Sequence, residues 1–408
     1  GGAAFILIYV AIVVFVGVSM FIGEVTLGRY TQLSNVGAFK KIKQSYAWIG
    51  SIGLLAGFLI LSYYSVVGGW VIYYFFRAIA GFKMTDPNLT GALFGNFISN
   101  PWVPLAFHAL FMGMTIWICY NGVQGGIEKY SNFMMPALFI IVAILAVRSL
   151  TLPGAAKGLE FYLVPDFSKI TGKSFLDALG QVFFSLSLGM GSILTYGSYL
   201  DKKENIPQVS VIVPIMDTSV AFMAGLIIFP AVFAYGFEPG TGPGLTFVTL
   251  PAVFSEMPAG NLFGAAFFFL LFLAALTSAI SLLEPLTAYM MEEHGWERKR
   301  ATIVLGSIMF LIGCGASLSC GAWSAFKIAG LNFFDQLDWL ANNVLLPLGG
   351  MFTALFITWI WGTDHALHEA TNDGILSFSL GNVWANVMLK YVAPALVAII
   401  FLTGIGLL

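Results

Sequence analysis

Apolar residues run in stretches too long for the interior of a water-soluble domain, and polar residues collect in the gaps between them. Segments able to cross a hydrocarbon core of roughly 30 Å occupy about residues 3–32, 46–81, 102–121, 130–150, 175–200, 207–236, 261–291, 301–320, 337–361 and 384–407. The pattern therefore predicts ten transmembrane helices and an all-α, polytopic membrane protein. The longer gaps, about 83–101, 151–174 and 237–260, are polar or rich in Gly and Pro and read as loops. One span breaks its own pattern. Phe184-Ser185-Leu186-Ser187-Leu188-Gly189-Met190-Gly191-Ser192 places serines and glycines where a membrane helix should be most regular. Unwound backbone at that depth persists only where it lines a cavity or a ligand, and broken helices mark the binding sites of secondary transporters.

Composition narrows the class. With 59% hydrophobic residues in 408, the chain is not a set of soluble domains. Charged residues make up 9% and the net charge is -2, which leaves no footprint for nucleic acid. The partners implied are the lipid bilayer and a small molecule. Cys119, Cys314 and Cys320 fall in or near apolar stretches and form no disulfide framework. Placing Arg29, Lys40, Lys41, Lys43, Lys129, Lys202, Lys203, Arg298, Lys299, Arg300 and Lys390 on one side puts the larger basic count there. That side is expected to be cytoplasmic. Arg77, Lys83, Arg148, Lys157, Lys169, Lys173 and Lys327 and the three long loops then face outward, with 237–260 as a cap over an outer mouth. The chain opens at Gly1-Gly2 and enters a full span at once, so a further N-terminal segment is expected upstream.

Ionisable groups inside a membrane cost about 2.5–3.5 kcal/mol each and default to function; Glu24, Asp217 and Glu284 stand out. Asp217 lies near mid-depth and can neutralise a cation. Ala274, Thr277 and Ser278 share one helical face by their i, i+3, i+4 spacing, presenting a carbonyl and two hydroxyls. Such oxygens suit a hard cation, although hydroxyls in membrane helices commonly bond back to their own carbonyls. Tyr63 and Tyr64 need partners at mid-span; a bound carboxylate is one candidate and helix packing the other. His365 and His368 have metal-pair spacing without a third ligand and read as a solvated helix end. His108 and His294 are assigned no role. No phosphate loop, zinc-protease pair or nucleophile elbow occurs, so an enzyme is not expected.

The break, with Thr195-Tyr196-Gly197-Ser198-Tyr199 after it, resembles the interrupted sixth helix of the neurotransmitter:sodium symporter family, bacterial leucine-transporter-like branch. Gly1-Gly2-Ala3-Ala4-Phe5, Glu24 with Gly28-Arg29, Gly126-Ile127-Glu128-Lys129 with Pro136, Thr249-Leu250-Pro251 and Ala275-Leu276-Thr277-Ser278 extend the resemblance along the whole chain. It implies a five-plus-five inverted-repeat fold in which these ten spans are the family's second to eleventh helices. The first helix, which supplies part of both sodium sites and the amides for the substrate carboxylate, would be missing. The arginine facing Asp338 would be missing too, and this chain alone is expected not to transport.

The resemblance further implies two sodium ions, one at Ser185 and Asp217, the other at Ala274, Thr277 and Ser278. Asp217 stands where many members carry Asn. Tyr64 would bind the substrate carboxylate beneath Phe184 as an aromatic lid, and Ile60, Ser187, Met190 and Leu282 would line the side-chain pocket beside Ser185 and Ser278. Glu24 would brace the unwound backbone, Asp338 would form half of an outer gate, and Glu292 with Tyr199 beside it would serve the inner gate. Glu284 falls where a bacterial member has Gln. Tyr9, Gln181 and Ser185 match the chloride ligands of some members, but Ala221 replaces a required Ser and Asp217 brings its own negative charge, so chloride is not expected. The implied activity is sodium-coupled import of a neutral, hydrophobic or aromatic amino acid across the bacterial inner membrane. A proton-coupled carrier of the same fold and a non-transporting amino-acid sensor are the alternatives.

Overall fold

The computed structural model describes residues 2–82, 87–240 and 242–408. Gly1 and Lys83, used above in a motif and in the charge count, lie outside the described residues. Among the described residues nine helices are long and apolar enough to cross a membrane. They are α1 (Gly2–Thr31), α3 (Gln44–Ala80), α5 (Val103–Tyr120), α6 (Val123–Leu150), α10 (Ile206–Ala234), α12 (Gly260–His294), α13 (Arg298–Ser319), α14 (Phe333–Ala370) and α15 (Gly381–Gly404). The tenth expected span is two pieces, α8 (Gly172–Ser185) and α9 (Ser192–Ser198). The chain is thus all-α, and an isolated bridge between Ile328 and Leu331 is its one β feature among the described residues.

The gaps hold more helix than their composition suggests. A connector, α2 (Asn35–Ile42), follows α1; α4 (Pro87–Ser99), α7 (Ala155–Leu163) and α11 (Leu245–Glu256) occupy the three long gaps. Each is too short to span the membrane, and tertiary contact rather than propensity holds it. Tyr162 of α7 donates its hydroxyl to the Phe222 carbonyl at 2.9 Å. Phe247 of α11 stacks on Phe94 of α4 and on Phe268 of α12, ring centroids 5.4 and 6.2 Å apart, and meets Trp70 of α3 edge-on. The 237–260 connection therefore lies against the outer ends of α3 and α12.

Buried side chains form two apolar cores. One gathers α3, α5, α6, α10, α12, α13 and the first half of α14 (Leu337, Ala341, Leu345 and Leu346); the other gathers α1, α8, α15 and the second half of α14. The interrupted helix sits at their seam: Met190 packs into the first core, whereas Leu186, Leu188 and Leu194 pack into the second.

Candidate substrate and ion site

Ser187, Gly189 and Gly191 adopt φ of +55°, +75° and +80°, and these left-handed residues end α8 and aim α9 in a new direction. Two glycines are required sterically as well as by φ. A Cβ on Gly189 would come within 2.6 Å of the Leu346 carbonyl oxygen and 2.7 Å of the Gly350 nitrogen, and one on Gly191 would run into the Asn35 side-chain amide. Ser187 has no such exemption from strain, and its side chain opens into a cavity.

Freed backbone groups must find partners. The Gly189 N–H donates to Oε1 of Glu24, 2.8 Å away on α1, a carboxylate that is 1% exposed. Its other oxygen has no hydrogen-bond partner among the described residues. Ser192 at the start of α9 donates to the Ser281 carbonyl of α12 at 2.8 Å, and Asn35 of α2 donates to the Gly50 carbonyl of α3 at 2.9 Å while wedged against Gly191. The break is thus held from α1, α2 and α12 together.

Beside it lies a cavity of about 210 Å³ lined by Ile60, Tyr64, Gln181, Phe184, Ser185, Ser187, Met190, Asp217, Ser278 and Leu282. All eight side chains that the resemblance assigned to substrate are in that lining, although they come from α3, the broken helix and α12. Ser185 donates to Oδ2 of Asp217 at 2.7 Å, joining across α8 and α10 the two residues expected at one sodium ion. Tyr9 lies against the same serine and aspartate. The oxygens of Ala274, Thr277 and Ser278 also converge: Thr277 and Ser278 donate to the Ala274 carbonyl at 2.9 and 3.1 Å, and Thr277 also reaches Leu273 at 3.1 Å. These bonds are the back-bonding that spacing alone suggests, and they bring three oxygens to one point.

Phe184 and Gln181 also floor a second, larger cavity of about 400 Å³ on the outward side, whose walls include Asp177, Asp338, Asn342 and Asn343. Asn342 donates to Oδ1 of Asp338 at 2.7 Å, and the buried Tyr63 faces the same carboxylate. Phe184 therefore separates the inner cavity from this vestibule. No basic side chain lines it among the described residues.

At the opposite end Tyr199 lies near Glu292, as expected, and donates its hydroxyl to Oε1 of Glu284 at 2.6 Å. Glu292 instead accepts from the N–H and hydroxyl of Ser34 at 2.8 and 2.6 Å, which ties α12 to the residue before α2. Arg298, the first residue of α13, grips Glu284 with two guanidinium bonds of 2.7 Å and thereby gives that buried carboxylate its partner. The sequence signal was present: an acid deep in α12 needs a cation, and the start of α13 offers one across a short turn. A further cluster joins Arg29 of α1, wholly buried, to Glu369 near the end of α14 and to the Glu204 carbonyl, with Lys202 on the same Glu369 carboxylate. His365 and His368 gather no metal set: His365 meets the Trp361 carbonyl and His368 the exposed Asp373, and no group of three His, Cys, Asp or Glu able to hold a metal occurs among the described residues.

A bilayer-spanning bundle with a helix interrupted beside a mid-depth cavity defines a secondary transporter. The family model described as the Sodium:neurotransmitter symporter family matches residues 1–85 and 104–407, and the chain belongs to that family. It is 40% identical over 411 residues to an uncharacterized sodium-dependent transporter, YhdH, of Bacillus subtilis, covering 100% of this chain and 91% of that protein. Identity is 31% to the uncharacterized sodium-dependent transporter MJ1319 of Methanocaldococcus jannaschii, over 100% and 84% of the two chains. Human sodium- and chloride-dependent GABA transporter 2 shares 25% over 89% and 68%. Among solved structures, MhsT in complex with L-phenylalanine superposes with a TM-score of 0.90 at 44% identity, covering 99% of this chain and 92% of that one. The protein is a sodium-dependent, multi-pass symporter of this family, not an enzyme family member.

Proposed function

We propose that the protein imports a neutral amino acid with a large aliphatic or aromatic side chain, coupled to two sodium ions, by alternating access. The observation that carries this reading is the cavity at the break, where Ile60, Met190 and Leu282 offer no charge, Tyr64 offers a hydroxyl, and Ser185 and Asp217 stand at one edge. Tyr64 would take the carboxylate and flexible Met190 would adapt to bulky side chains. Asp217, with Ser185, would hold one sodium, and Ala274, Thr277 and Ser278 the other. The solved relative that binds L-phenylalanine supports a substrate of this kind.

In the proposed cycle, sodium and substrate enter through the vestibule; Phe184 closes beneath Asp338 and the 237–260 cap. The bundle carrying α1, α8 and α9 then rocks against the body built on α3 and α12. Tyr199 crosses from the first unit to Glu284 on the second, so its release opens the inner side, with Glu292 and Ser34 moving alongside. Two sodium ions crossing 100 mV supply about 4.6 kcal/mol, and a tenfold gradient of each adds about 2.7 kcal/mol. Roughly 7 kcal/mol supports an accumulation near 10⁵-fold for a zwitterion.

The test is uptake of labelled phenylalanine or leucine by the full-length protein in liposomes under an imposed sodium gradient, challenged with a panel of amino acids. Competition by apolar and aromatic members is expected; competition by aspartate or lysine alone sinks the substrate assignment. Uptake driven by a pH gradient without sodium would instead make Asp217 a proton carrier.

A further inference from the structure

Away from the transport path, a groove of about 450 Å³ runs along the outside of the bundle between the start of α3 and the inner half of α14. Its walls include Tyr46, Trp48, Phe352, Phe356, Trp359 and Ile360, and no acidic side chain lines it among the described residues. Trp48 and Trp359 are 44% and 56% exposed. Its floor is rigid: Phe356 packs on Phe39 and Tyr46, with centroids 4.8 and 5.5 Å apart, and Phe352 meets Trp48 at 4.9 Å.

Two ammonium groups stand over rings that line the groove. Lys43 sits over the Tyr46 ring at 5.2 Å, and Lys390 sits over Trp359 at 4.6 Å and Tyr391 at 5.7 Å. Neither lysine takes part in an ion pair among the described residues. Both belong to the basic side of the protein, where Tyr and Trp mark the membrane interface and anionic headgroups concentrate. The cations therefore stand beside an apolar groove, and no protein carboxylate pairs with them among the described residues. An acyl chain fits the groove and an anionic headgroup fits its rim.

We propose that the groove is a binding site for an anionic phospholipid of the cytoplasmic leaflet, one acyl chain lying against Trp48, Phe352 and Trp359 and the phosphate held by Lys43 and Lys390. The groove touches α2 through Phe39, and α2 carries the Asn35 that wedges the helix break. A bound lipid thus braces the connector that supports the break. This assignment does not depend on which amino acid is carried.

The two tryptophans are native reporters. The full-length protein is placed in nanodiscs of phosphatidylcholine doped with phosphatidylglycerol or phosphatidylcholine brominated on the acyl chain, and tryptophan quenching is titrated. The same measurement on a Trp48→Phe/Trp359→Phe variant isolates the groove's share. A lysine at an anionic surface favours a lipid about fivefold. Half-maximal groove quenching is therefore expected at a phosphatidylglycerol fraction at least about fivefold below that for phosphatidylcholine. In Lys43→Gln/Lys390→Gln the two lipids should become equivalent, and Lys43→Arg/Lys390→Arg should retain the preference, each with an unchanged melting temperature. Equal quenching by both lipids in the wild type, or selectivity that survives loss of the lysines, overturns the proposal and leaves only annular lipid.

Discussion

Tyr199→Phe isolates the bond that crosses the inner end of the protein. The wild-type phenol donates to Glu284 at 2.6 Å, while Arg298 supplies that carboxylate with two further bonds. Removing the hydroxyl therefore costs one charge-assisted hydrogen bond, about 1.5–3 kcal/mol, without leaving a bare buried charge. If the bond is present only while the inner side is closed, even the lower value multiplies the inward-open population about tenfold. A native thiol reports it. Cys119 is fully buried on α5, its sulfur 3.8 Å from the Ile280 carbonyl, with Tyr196 of α9 beside it. In a Cys314→Ser/Cys320→Ser background, a membrane-impermeant maleimide applied from the cytoplasmic side should label Cys119 about tenfold faster in Tyr199→Phe than in wild type. Arg298→Ala is the contrasting case. It strands Glu284, which is 0% exposed, at a cost of about 3–5 kcal/mol, and should lower the melting temperature and the yield. An unchanged labelling rate in Tyr199→Phe, with an unchanged melting temperature, would refute the crossing-bond argument.

Other outcomes follow from the same geometry. Asp217→Asn removes the only formal charge lining the inner cavity among the described residues and should raise the sodium concentration for half-maximal uptake about tenfold or more, measured in sodium titrations at fixed substrate. Replacing chloride with gluconate should leave uptake unchanged, because Asp217 supplies negative charge beside Tyr9 and Ser185; loss of uptake would remove the assignment. Gly191→Ala forces a Cβ into Asn35 at φ +80° and should cost about 1–3 kcal/mol. Asn35→Ala should recover part of that loss in a double-mutant thermal-melt cycle, and full additivity would mean that the two residues do not press on each other.

Where the fold was legible, hydropathy over a whole span carried the signal, since lipid tolerates only helices with internally satisfied backbones. The ten expected crossings appear as nine continuous helices and α8–α9, and the interruption falls at the Ser187, Gly189 and Gly191 positions that marked it. The cavity was legible only through resemblance. Nothing in the spacing of Ile60, Phe184 and Leu282 places them on one wall, because three separate helices contribute them. The short helices α4, α7 and α11 were hidden because their stability comes from rings and carbonyls of distant elements, such as Phe268 under Phe247. The bond from Tyr199 to Glu284 was not legible, because Arg298 at the start of the next helix fixes that carboxylate beside the phenol.

The buried Arg29 also bears on how the protein is made. Its Nε bonds to Glu369, 340 residues later in the chain. Synthesis at about 5–20 residues per second leaves that guanidinium without its carboxylate for roughly 20–70 s. During that interval the cytoplasmic end of α1 has no carboxylate of α14 to dock against. Insertion of α14 then delivers the counter-ion and Lys202 fastens the same carboxylate. A chain ended before residue 369 therefore lacks the one carboxylate that Arg29 and Lys202 share.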